Sequence, residues 1–160
     1  MLRKGRRLAV DVGTARVGVA VTDFHGILAS PLTTIRRAES VTETISQVVS
    51  EISKFEDMLE VYVGLPINLR GQSTQSTIDS LVFAEELQSK TDIPVLLIDE
   101  RLTTSIANSQ LREIGKSQKQ ARATIDQMAA VAILEYALTL ENNSGSQPGI
   151  SIEGWREQNE

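Results

Sequence analysis

The sequence has no cysteine and a single histidine, His25. Thiolate metal sites, cysteine nucleophiles and disulfides are therefore excluded, and so are metal sites built from several imidazoles. A Ser-His-Asp arrangement would have to run through one turn-like stretch, Asp23-Phe24-His25-Gly26. Aromatic residues make up only 4% of the chain, which gives little support to a base-stacking platform. No apolar run approaches the ~18 residues needed to span a bilayer, and no long apolar stretch follows the basic N-terminus as it would in a secretory signal. The expected compartment is the cytoplasm, with no membrane partner. What remains is the chemistry of carboxylates, hydroxyls, Lys, Arg and hard metal ions.

The 160 residues, 41% of them apolar and 23% charged, suit one globular domain with a core of its own. Arg7 to Asp11 and Arg16 to Asp23 read as strands, joined closely enough to make an antiparallel hairpin. A third strand-like run, Ile27 to Arg36, contains Pro31 and is expected at an edge or a break. From Ser40 the apolar period becomes helical through Val41, Ile45, Val48, Val49, Ile52 and Phe55. Leu59 to Leu65 reads as a buried strand. A helix then carries Ile78, Leu81, Val82 and Leu87, and Val95 to Ile98 reads as a strand buried on both faces. A short helix is expected over Thr103 to Ile114, and a strongly apolar one over Ile125 to Leu140. This order predicts an α/β domain: a mixed sheet with helices on its faces. The domain is expected over residues 1–141, with 142–160 as a flexible tail.

Three carboxylates stand out. Asp11 closes the first strand, flanked on its own face by Ala9 and Gly13, and taken alone a turn-initiating role accounts for it better than a site does. Glu100 leaves the last strand at the carboxyl end, where sites form in open α/β sheets, though a solvated strand end is an equal reading. Asp126 follows Thr124 in a pattern that fits a capping box closed by Gln127. It is also the only charge on the small-residue stripe Ala129, Ala130, Ile133, Ala137, which points it at the sheet edge. Three such acids, if gathered, repel one another. Two Mg²⁺ or Mn²⁺ ions would offset that charge and act on a phosphodiester.

The stretch Asp11-Val12-Gly13-Thr14-Ala15-Arg16-Val17-Gly18-Val19-Ala20 resembles the opening motif of the YqgF-like nucleases, a group described as pre-ribosomal RNA nucleases or Holliday-junction-resolvase-like proteins. Gly64-Leu65-Pro66 with Asn68 and Gly71 resembles their second block. Asp99-Glu100-Arg101-Leu102-Thr103-Thr104 with Ala107 and Leu111 resembles the third, and Ile125-Asp126 with Ala129, Ala130, Ile133 and Leu134 the fourth. Four blocks in register over about Leu8 to Leu140 make the resemblance specific. The loop Leu69 to Gln75 departs from it, being less glycine-rich and acidic than is usual. The resemblance implies a ribonuclease H-like fold and catalytic, metal-holding acids at Asp11, Glu100 and Asp126. It also implies endonucleolytic processing of the small-subunit (pre-16S) ribosomal RNA precursor, with branched DNA as the alternative substrate in recombination or repair.

The net charge of −5 argues against indiscriminate nucleic-acid binding, so local charge has to supply the contacts. Arg16 and Arg101 lie beside the candidate acids. Arg112, Lys116, Lys119 and Arg122 form a basic run between the Glu100 and Asp126 blocks, and Arg3, Lys4, Arg6 and Arg7 form another at the N-terminus. Two other functions fit the opening motif. A sugar-kinase or actin-like ATPase begins with a similar phosphate-binding hairpin but needs two such domains, and 160 residues supply one. A non-catalytic nucleic-acid-binding module would keep the fold without turnover. The sequence is compatible with a monomer or a homodimer.

Overall fold

The computed structural model describes residues 2–101 and 118–159, with side chains from 125 onward in the second segment. Five strands form one sheet: β1 (Arg6–Val12), β2 (Arg16–Thr22), β3 (Ala29–Arg36), β4 (Met58–Leu65) and β5 (Val95–Asp99). Their order is β3-β2-β1-β4-β5. The first three are antiparallel neighbours, and β4 and β5 run parallel to β1. Pro31 sits on the edge strand β3, opposite Ala20, where the β2–β3 register shifts; a missing N–H is tolerated there.

Alternation along the strands sorts side chains into two cores. Leu8, Val10, Val61, Val63, Val95 and Leu97 face one side, covered by α1 (Val41–Ser53) and α2 (Gln75–Lys90). Ser40 caps α1 by accepting a bond from the Glu43 N–H, and Thr74 and Thr77 form a reciprocal box at the start of α2. Leu81, Phe83, Ala84 and Leu87 of α2 are buried, whereas Ile78 and Val82 are 50% and 44% exposed. The expected apolar stripe of this helix is thus rotated: the buried face is completed by Thr77 and Ser80.

The opposite face, Ala9, Ala20, Tyr62, Leu96 and Ile98, is covered by α3 (Gln118–Ser144) through Ala130, Val131, Ile133, Leu134 and Ala137. This 27-residue helix extends for about 40 Å at 1.5 Å per residue, and its alanines let it lie close to the sheet. It begins well before Ile125, so Thr124 is an interior residue rather than an N-cap. Gln127 spends its side chain on Thr34 of β3, 2.9 Å away, rather than on a capping box.

The segment expected as a tail is docked. Ile150 and Leu97 exchange backbone hydrogen bonds of 2.8 and 3.1 Å along the free edge of β5. A last helix, α4 (Ile152–Asn159), buries Ile152 and packs Trp155 on the first core. Three apolar residues in a polar segment suffice for this, because an unpaired strand edge offers ready backbone partners. The boundary expected at 141 falls inside α3. Residues 103–114, expected as a helix, lie outside the described residues. Among the described residues, no helix is long and apolar enough to cross a membrane.

Candidate active site

Asp11 is the penultimate residue of β1 and Glu100 follows β5. Because β4 lies between these strands, the two carboxylates would stand about two strand spacings apart, near 10 Å, if each pointed straight out. They nevertheless hydrogen-bond to each other. The gap is closed over Gly64 of β4. A Cβ there would fall 2.6 Å from Glu100 Cδ and 2.5 Å from Ile133 Cδ1, so the absent side chain is the space Glu100 occupies. The Glu100 N–H is anchored on the Leu65 carbonyl at 3.2 Å. We expect Gly64→Ala to push Glu100 off Asp11. Overpacking of this kind costs roughly 1–3 kcal/mol of stability, and a displacement near 1 Å costs about 10²-fold in rate; thermal melts beside cleavage assays separate the two effects.

The third acid comes from α3. Gly18 pairs with Asp11 in the β1–β2 register, and a Cβ on Gly18 would lie 2.0 Å from the Asp126 carbonyl oxygen. The close approach of helix to strand at this glycine brings Asp126 beside Asp11. Arg16 of β2 then takes the Asp126 carboxylate, Nε to Oδ2, at 2.7 Å. Asp126 lies in the third turn of α3, not at its start as the capping-box pattern predicts.

Burial dominates the protonation of the inner pair. The Glu100 carboxyl is pushed up to about 10, first by burial, then by its hydrogen bond to Asp11 and by the charges of Asp11 and Asp99. Asp11 is also raised, by burial and by the nearby Asp126 charge, against the pull of the Glu100 hydrogen bond. The two share a proton at neutral pH. A carboxyl raised from its ordinary 4.5 contributes stability that is present below that value and is lost as pH climbs toward the folded value. In EDTA, the melting temperature of wild type should therefore fall from pH 6 to pH 9 relative to Glu100→Gln. Mg²⁺ should raise it more at pH 8.5 than at pH 5.5, which scanning calorimetry reads directly.

The donor set is all oxygen, which suits a hard divalent cation, and a buried proton shared by two carboxylates is what such a cation would displace. Among the described residues no three His, Cys, Asp or Glu side chains already form a metal cage, and the Asp126 carboxylate is bonded to Arg16. The remaining predicted residues divide in two groups. Arg101 is exposed and folds back on Asp99, with Nη2 to Oδ2 at 2.6 Å. It also lines an open groove of about 350 Å³ with Pro66, Ile67, Asn68, Leu69 and Glu100. Arg112 and Lys116 lie outside the described residues. Lys119 and Arg122 are in α3, two turns and one turn before Asp126. His25 is exposed at the far end of the sheet, where the Gly5 N–H bonds the Phe24 carbonyl.

The N-terminal basic run does not form a free patch. Arg7 is fully buried and pairs with Glu141 at 2.8 Å. Arg3 bridges Glu60 at 2.7 Å and Glu141 at 2.5 Å, and Tyr62 donates to Glu60 at 2.8 Å. Arg6 pairs with Asp57 and stacks over Phe55. This network was missed from sequence because its acids lie 57 and 138 residues from Arg3.

The family model described as RuvX, Holliday junction resolvase, matches residues 5–140. The chain belongs to this family. A relative from Clavibacter michiganensis subsp. michiganensis, named "Putative pre-16S rRNA nuclease", is 43% identical over 151 residues, covering 94% of this chain and 93% of its own. A relative of the same name from Mycobacteroides abscessus is 45% identical over 148 residues, covering 90% and 87%. Among solved structures, T. thermophilus RuvC in complex with a Holliday junction substrate aligns with TM-score 0.54 at 13% identity, over 90% of this chain and 99% of that one. The Mn-soaked, inhibitor-bound human cytomegalovirus terminase nuclease domain aligns with TM-score 0.53 at 13% identity, over 92% and 89%. At this identity the two structures establish the fold: the RuvX chain has the ribonuclease H-like mixed five-stranded sheet with helices on both faces.

Proposed function

We propose that this RuvX chain is a metal-dependent endonuclease that hydrolyses phosphodiester bonds in structured RNA, its substrate being the small-subunit ribosomal RNA precursor. The single observation that carries the reading is the meeting of Asp11 and Glu100 across Gly64, with Asp126 alongside. The family match and the relatives' names support it, and those names favour RNA over junction DNA.

Asp11, Glu100 and Asp126 would hold one or two Mg²⁺ or Mn²⁺ ions. Bound there, such ions supply a water of lowered pKa and neutralise charge on the phosphate under attack. To act as ligands, Asp11 and Glu100 would both have to be ionised, so the proton held between them would leave to solvent. The Gly64 gap holds Glu100 in reach of Asp11, and α3 brings the third acid over the same sheet edge. The substrate backbone follows that edge, with Arg101, Lys119 and Arg122 near its path and Arg112 and Lys116 on the connecting segment. Attack by water leaves a 5′-phosphate on the product.

The test is incubation of a precursor ribosomal RNA fragment and a four-way DNA junction with Mg²⁺, Mn²⁺ or EDTA. Cation-dependent cutting of the RNA is expected. Cutting of the junction alone would move the substrate to DNA, and binding of both without cleavage would leave a non-catalytic module.

A further inference from the structure

The register of β2 and β3 places Arg16 directly opposite Arg36. Both belong to the face that meets α3: Arg16 bonds Asp126, and Thr34, two residues before Arg36, bonds Gln127. Like charges directly opposite each other across a sheet destabilise it. Among the described residues, the one ion pair that relieves this pair is Asp126 on Arg16, at 2.7 Å. Arg36 is exposed and forms no ion pair among the described residues. It borders a groove of about 600 Å³ at the tip of the β1–β2 hairpin, whose other charged lining is Arg37, Glu39 and Asp79; Asp79 is taken by Arg37 at 2.6 Å. Asp126 in turn faces two claimants. It lies close enough to Asp11 for its charge to be felt there, yet its carboxylate is turned to a guanidinium.

We propose that Arg16 is a latch. It holds Asp126 away from Asp11 and Glu100 until a divalent cation takes that carboxylate, and the released guanidinium then joins Arg36 in seating one backbone phosphate of the nucleic-acid strand. Arg16 is thus a positioning residue for the site in one state and a phosphate contact in the other. Cation and substrate favour each other through it, because the cation frees the group the phosphate needs. A guanidinium suits both tasks, since its fork takes carboxylate and phosphate in the same geometry. The inference rests on the metal reading given under Proposed function.

Two measurements test it on the full chain. In calorimetric titration with Mn²⁺, Arg16→Gln should bind the cation roughly fivefold more tightly than wild type, the scale of a partly exposed ion pair, while Arg36→Gln binds as wild type does. In fluorescence anisotropy with a short RNA hairpin, its integrity checked on a gel, Arg16→Gln should match wild type in EDTA and bind more weakly in Mg²⁺. Arg36→Gln should be weaker in both and lower the salt slope by about 1. Arg16→Lys, which keeps the charge and the fold, should fall between wild type and Arg16→Gln for Mn²⁺. Mn²⁺ binding by wild type with no gain in either Arg16 variant overturns the latch alone. So does an Arg16→Gln loss of RNA affinity that is equal with and without Mg²⁺. A wild-type protein that takes up no Mn²⁺ removes the metal reading underneath and the latch with it.

Discussion

Asp11→Asn is expected to lower cleavage by roughly 10³-fold or more, since a bound cation contributes several kcal/mol of transition-state stabilisation and each 1.36 kcal/mol is about tenfold in rate. The stability of the protein should hardly change. Asp11 and Glu100 already share a proton in a buried site, and Asn presents the same shape with one fewer negative charge to repel Glu100 and Asp126. Mn²⁺ affinity should fall with the activity, because an amide oxygen is a poorer ligand than a carboxylate. Single-turnover cleavage at saturating protein, with thermal melts on the same samples, makes the comparison. Wild-type rates from a folded Asp11→Asn protein would remove these carboxylates from the chemistry.

Glu141→Gln should have the largest effect on stability, and it acts at the other end of the sheet. Arg7 has no exposed surface; its charge is met by Glu141 at 2.8 Å, and its Nη1 donates to the Gly5 carbonyl, also at 2.8 Å. Removing one member of a buried pair leaves an uncompensated charge and costs about 3–5 kcal/mol. For a chain of this size that corresponds to a fall in melting temperature of roughly 10 °C. The pH dependence has a definite sign. Burial alone would raise the Glu141 carboxyl, but the hydrogen bonds from Arg3 and the charges of Arg7 and Arg3 outweigh it and hold it below its ordinary 4.5. Its contribution is therefore complete above about pH 4.5 and is lost as pH falls through the lowered value. Acid titration of wild type against Glu141→Gln, followed by circular dichroism, should show the gap between them closing below that pH. A constant gap down to pH 2 would mean that the carboxylate charge is not what holds Arg7.

Particular residues show how far local pattern carries. The β1–β2 hairpin was legible because Val10 and Val12 alternate with Ala9 and Asp11, and Pro31 marked the edge strand for a reason that holds in any sheet. Asp126 was legible as a candidate, but its expected capping geometry was wrong. The helix starts at Gln118, and the helical signal across the polar residues before Ile125 is weak. Ile78 and Val82 fit the helical period of α2 as well as the residues that are buried, and only packing against α1 and the sheet chose between them. Arg3 and Arg7 read as a surface patch because charges are counted along the chain, while their acidic partners arrive from β4 and the end of α3.

The chain alone determined the order and kind of the elements from β1 to β5 and the oxygen-only chemistry open to it, because periodicity and the absence of Cys and clustered His are properties of the sequence itself. Tertiary structure decided which charges meet. Asp11 reaches Glu100 only because β4 lies between their strands and carries a glycine at that level. Asp126 meets Arg16 only because α3 presses against β2 at Gly18. Side-chain alternation says which face a residue takes; strand order and the closeness of a helix to the sheet say what it finds there, and both depend on contacts far apart in the chain.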